Sequence, residues 1–103
     1  MSQETVAYVD TDLEELIPDY LDNRRSDVIQ IRDLLQQGDL DEIQRLGHSM
    51  KGSGGGYGFH EITEIGKNIE EAAVAGNVSR IAEMIEYLSG YLSTVKIVWQ
   101  DDE

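Results

Sequence analysis

Cysteine is absent from the chain, which excludes a disulfide framework and any thiolate-held zinc. The absence suits a reducing compartment. Basic residues are also few: eight Lys and Arg stand against 21 Asp and Glu, a formal charge of −13. Phosphate backbones and anionic lipid surfaces repel such a chain, so neither a nucleic acid nor a membrane is an expected partner. No apolar run approaches the ~20 residues of a membrane span. Met1-Ser2-Gln3-Glu4 offers neither the basic nor the apolar part of a signal peptide, and a cytoplasmic location is the expectation. The two histidines, His48 and His60, make a poor metal site without cysteine.

What the chain does have is apolar residues, 40% of the total, enough for the core of one domain. From Asp12 they recur at spacings of three and four, the period of an amphipathic helix. Pro18 interrupts, because it lacks an N–H and clashes with the preceding turn. Two readings fit, a single kinked helix or a short turn followed by a long helix; the second is preferred, with a turn at 12–17 and a helix over 18–37. Gly38 supplies the stop. Asp39 then caps a second helix, with Glu42 at the capping-box spacing, and this helix runs through His48 to fray in Gly54-Gly55-Gly56. A third helix over 59–75 sets Ile62, Ile65, Ile69, Ala72 and Ala73 on its core face, and Gly66 beside that face predicts close backbone approach. Asn77 caps a fourth, carried by Ile81, Met84, Ile85, Leu88, Leu92 and Val95 as far as Trp99, with Asp101-Asp102-Glu103 as a solvated tail. No strand pattern stands out. The expected fold is all-α, an antiparallel up-and-down four-helix bundle over 12–103. A short N-terminal extension over 1–11 precedes it; the pattern assigns it no conformation, and Val6, Tyr8 and Val9 are apolar enough to tuck against one end.

One stretch of the second helix carries chemistry. On a wheel of 100° per residue, Ile43, Leu46, Gly47, Met50 and Gly54 gather on one side. His48 falls about 150° from the middle of that arc, on the side that meets water. Gln44, Arg45, Lys51, Gly52 and Gly55 surround it. A bare imidazole is thus flanked by positive charge, with side chains missing one and two turns further on. That suits chemistry with an anion delivered by another large molecule. A lone histidine on a polar helix face is usually only surface; here Lys51 and the glycines argue for function. His60 lies outside this pattern and reads as a surface or capping residue.

The run His48-Ser49-Met50-Lys51-Gly52-Ser53-Gly54, then Tyr57-Gly58-Phe59, then Ile65-Gly66-Lys67-Asn68-Ile69-Glu70, resembles the histidine-containing phosphotransfer (HPt) domains of two-component phosphorelays. The resemblance covers about residues 12–99. It implies that His48 is phosphorylated, exchanging the phosphoryl group with an aspartate of a response-regulator receiver domain or taking it from a histidine kinase. It implies no kinase activity, no ATP and no cofactor or metal of the domain's own, since the Mg²⁺ belongs to the receiver. A neutral imidazole is a good nucleophile near pH 7, and attack through Nε2 requires the proton on Nδ1. Glu70 is the candidate to accept that proton; many relatives carry Gln there, and Glu favours the imidazolium. Lys51, one turn after His48, offsets phosphoryl charge. Gly52 and Gly55 clear the approach of the receiver, and Arg45 and Lys67 add positive potential. A monomer is expected. The rival reading is a helical adaptor that binds a receiver or kinase and carries no phosphate.

Overall fold

In the computed structural model, which describes residues 5–101, Gly38 and Gly76 stop two helices with φ of 73° and 70°. Side chains with a Cβ resist that left-handed conformation, and glycine adopts it freely. Just past each stop the next helix is capped: Asp39 Oδ1 accepts from Glu42 N–H at 3.2 Å, and Asn77 Oδ1 accepts from Arg80 N–H at 3.1 Å. Such a cap satisfies one of the backbone donors that a helix start leaves unpaired, worth about 1 kcal/mol. The result is four helices, α1 (Ile17–Gln37), α2 (Leu40–Ser53), α3 (His60–Val74) and α4 (Val78–Thr94).

Their apolar stripes meet in one core. Ile31 of α1, Ile43 and Met50 of α2, Ile62 and Ile69 of α3, and Ile81 and Leu88 of α4 have no solvent exposure. Burying each stabilises the fold by roughly 1.5–3 kcal/mol. α2 and α3 approach most closely. A Cβ built on Gly66 would stand 2.4 Å from the backbone N of Lys51 and 2.7 Å from Gly47 O. A Cβ on Gly47 would stand 2.8 Å from Glu70 N, and one on Gly54 2.6 Å from Thr63 N. Gly66 therefore lies where the sequence pattern put it, at a backbone contact that tolerates no side chain. Among the described residues no helix is long and apolar enough to cross a membrane.

Two expectations are corrected. The chain is mostly helical but not all-α: β1 (Val6–Asp10) and β2 (Lys96–Gln100) form a two-stranded parallel sheet with Val6 beside Lys96 and Asp10 beside Gln100. α4 ends at Thr94, and Val95 is already extended at ψ 132°. The helical spacing of Leu88, Leu92, Val95 and Trp99 is overridden by the β preference of Val95, Ile97, Val98 and Trp99 once a partner strand lies alongside. That partner comes from the segment set aside as an extension, and it buries Ala7 and Val9 in the common core. At Pro18 the preferred reading holds to within one residue: a short turn precedes one long helix. Pro18 is the second residue of α1, where its missing N–H has no helical partner to lose. The turn before it is a 3-10 turn over Thr11–Leu13, capped by Asp10, whose Oδ1 accepts from Asp12 N–H at 2.8 Å. Of the solvated tail, residues 102 and 103 lie outside the described residues, as do residues 1–4.

Candidate functional site

The glycine contact between α2 and α3 fixes what happens on its solvent side. Gly47 meets Gly66, Ile69 and Glu70, so the next residue of α2, His48, stands over the flank of α3 that carries Glu70. The His48 side chain is 69% exposed, and its Nδ1 lies 2.8 Å from Glu70 Oε2. Lys51 Nζ lies 2.8 Å from the other oxygen of the same carboxylate, Oε1. Glu70, at 18% exposure, is the most sheltered of the three. One carboxylate therefore holds both an ammonium and an imidazole, one helical turn apart.

Charge settles the proton. The Lys51 hydrogen bond first, and the His48 hydrogen bond second, hold the Glu70 carboxyl below its ordinary range, so at neutral pH Glu70 is ionised and can only accept. His48 Nδ1 must then be the donor. In the neutral ring this leaves Nε2 with a free lone pair, on the side of the ring away from Glu70. Among the charged side chains so predicted, His48, Lys51 and Glu70 are brought together.

The remaining candidates divide. Gly52 is exposed, and a Cβ there would meet nothing within 4 Å. Its lack of a side chain serves no packing inside this chain. Arg45 is held by Glu42 through two hydrogen bonds of 2.7 and 2.6 Å, so its charge is offset on its own helix. Lys67 is exposed on α3, three residues before Glu70, and makes no ion pair among the described residues. Gly55 is not on the last turn of α2 as expected. It opens a 3-10 turn, Gly55–Tyr57, and its Cβ position lies 3.5 Å from His60 Nδ1 and from Thr63 Oγ1. The reason is Thr63: Gly55 N–H donates to its Oγ1 at 2.8 Å, and that hydroxyl donates to Lys51 O at 3.1 Å. Thr63 thus ties the end of α2 to α3 directly below Lys51. Sequence reasoning passed over it, because its partners are eight and twelve residues away and leave no local signal. His60 begins α3 and is exposed, and it lines an open cleft of about 320 Å³ with Tyr8, Asp10 and Gly56, apart from the triad.

A family model described as Hpt domain matches residues 12–96. Neither a search of curated proteins nor one of solved structures returned a match.

Proposed function

Because this chain belongs to the Hpt domain family, whose members are phosphocarrier modules of two-component signalling, we propose that His48 is its phosphoryl carrier, loaded and unloaded by a receiver-domain aspartate. The observation that carries the reading is the pairing of an open imidazole with an ionised carboxylate on Nδ1. Nε2 attacks the phosphorus of an aspartyl phosphate in line. The P–Nε2 bond forms as the P–O bond to the aspartate breaks, and the carboxylate leaves with the bonding electrons. The Nδ1 proton stays on the ring, shared with Glu70, which stabilises the positive charge that the ring gains. Reversal of the same step passes the group on. Phosphoryl transfer is largely positioning and charge stabilisation. Lys51 stands next to the imidazole on the same carboxylate and turns to the phosphoryl oxygens when they arrive. The Mg²⁺ for the step is the receiver's.

The bare surface at Gly52 gives the receiver room to reach Nε2, with Gly55 at the margin of that face and Lys67 adding positive potential to an acidic chain; Arg45, already paired with Glu42, adds little. The helices follow one another up and down, antiparallel. Contacts that support this order are Tyr20–Ser53 between α1 and α2, Gly54–Thr63 between α2 and α3, Tyr87–Glu61 between α4 and α3, and Arg32–Glu86 between α1 and α4.

Incubation with a phosphorylated receiver domain and Mg²⁺ tests the reading. Acid-labile, base-stable label is expected on the native chain and on His60→Gln, and none on His48→Gln. Receiver binding that survives His48→Gln, with no label on the native chain under any loading condition, would establish the adaptor instead.

A further inference from the structure

The last turn of α2 is closed through another helix. Gly54 N–H donates to Met50 O at 3.0 Å, in the regular helical series. The next bond of that series would run from Gly55 N–H to Lys51 O. A hydroxyl stands between those two groups instead: Gly55 N–H donates to Thr63 Oγ1 at 2.8 Å, and the Thr63 O–H donates to Lys51 O at 3.1 Å. Gly54 makes room for it, since a Cβ there would lie 2.8 Å from Thr63 Oγ1. The bridge is half-buried and satisfies two backbone groups at once. Thr63 and Glu70 lie two turns apart on α3 and so share a face. Lys51 meets that face at both ends. Its carbonyl points along α2 towards Ser53 and is held by Thr63. Its side chain leans back towards the start of α2 and reaches Glu70 at 2.8 Å.

Only the first of these attachments persists during transfer. The ammonium leaves Glu70 for the phosphoryl oxygens, swinging on a flexible stem whose root is the Lys51 backbone. That root is set from both sides: Gly66 packs against Lys51 N, and Thr63 holds Lys51 O. We infer, on the phosphocarrier reading of His48 and Lys51, that Thr63 is a positioning residue for the transfer: its hydroxyl fixes the Lys51 backbone so that the ammonium meets the phosphoryl group beside His48. Two turns from Glu70, about 10 Å along α3, Thr63 is too far to touch the ring or the phosphoryl group, and it acts through Lys51. Without the hydroxyl, Lys51 O and Gly55 N–H lose their shared partner, the end of α2 loses its tie to α3, and the stem of Lys51 shifts from its place.

Single-turnover transfer from a phosphorylated receiver domain with Mg²⁺, at a temperature where melting curves show each variant folded, provides the test. Thr63→Val replaces the hydroxyl by a methyl group of similar size, and Thr63→Ala deletes it with no new contact. Both are expected to slow transfer by about threefold to tenfold, and Thr63→Ser, which keeps the hydroxyl, to restore most of the native rate. The decisive pair is made in a Lys51→Met chain, which is slower at the outset. Adding Thr63→Val there is expected to change the rate by less than about twofold, because no ammonium remains to be placed. Native rates in Thr63→Val and Thr63→Ala would overturn the inference and leave the phosphocarrier reading standing. So would a Thr63→Ser chain as slow as Thr63→Val, or equal slowing with and without the Lys51 ammonium. A native chain that takes no label from any receiver removes both, a result distinct from these because it precedes any comparison of variants.

Discussion

Gly66→Ala places one methyl group where α2 and α3 touch. Its carbon would lie 2.4 Å from Lys51 N, 2.7 Å from Gly47 O and 2.7 Å from Met50 Cβ. Two of those atoms are backbone and cannot rotate away. Ordinary carbon contacts begin near 3.5 Å, so the helices must part by about 1 Å. Overpacking of this kind costs about 1–3 kcal/mol. Alanine returns up to ~1 kcal/mol of helix propensity at a mid-helix site. The clash is with backbone atoms that cannot rotate away, so the overpacking cost lies in the upper part of its range; the net loss is about 1–3 kcal/mol, and for a domain of this size the melting temperature falls by about 5–20 °C. The separation also draws Glu70 from His48, so phosphotransfer slows at temperatures where the variant is fully folded. Thermal melting followed by circular dichroism, with single-turnover transfer at 10–15 °C below the midpoint (about that margin keeps two-state domains folded), reads both effects. Gly52→Ala is the control: nothing lies within 4 Å of its Cβ, so it melts no lower than the native chain. A Gly66→Ala variant that melts at or above the native temperature would refute the close approach on which the placement of Glu70 rests.

Gly52→Gln is expected to retain the native melting temperature and to slow transfer from a receiver by about tenfold or more through obstruction; native rates would mean that the receiver does not approach over Gly52. Glu70→Gln keeps an acceptor for Nδ1 and should still be labelled, whereas Glu70→Ala slows labelling by about tenfold to a hundredfold, and equal rates for the two would remove Glu70 from the mechanism. The depressed Glu70 carboxyl contributes stability that is present above its ordinary value of 4.5 and is lost as pH falls through the lower folded value; unfolding measured against pH should therefore show a shallower acid loss in Glu70→Gln. Asp27 runs the other way. Burial raises its carboxyl above 3.8 despite Arg24 at 2.8 Å, so the native chain holds that proton longer than the unfolded one, and its contribution falls as pH rises through the window above 3.8. The stability difference between the native chain and Asp27→Asn should shrink across that window, and a difference that grows with pH contradicts the assignment.

Helices, caps and the reactive face were legible because each is written locally. Asp39 and Asn77 announce their helices three residues ahead of the N–H groups they cap, and His48, Lys51 and Gly52 share one turn. Glu70 was legible at a distance of 22 residues only through the family pattern, since nothing in its own helix marks it as the ring's partner. The sheet was not legible. Val95 and Trp99 continue a helical spacing, and the competing strand preference wins only because residues 6–10, some 90 positions earlier, lie alongside. Gly55 and Thr63 failed for the same reason: a hydroxyl from another helix decides where the last turn of α2 ends.

Phosphorus NMR of the loaded chain tests the central claim most directly, because it separates the two ring isomers of phosphohistidine. A carboxylate already occupies Nδ1 of His48, so the account predicts a single Nε2-phosphohistidine resonance, absent from His48→Gln and unchanged in His60→Gln. A phosphoryl group on Nδ1, or a resonance that survives His48→Gln, would contradict it.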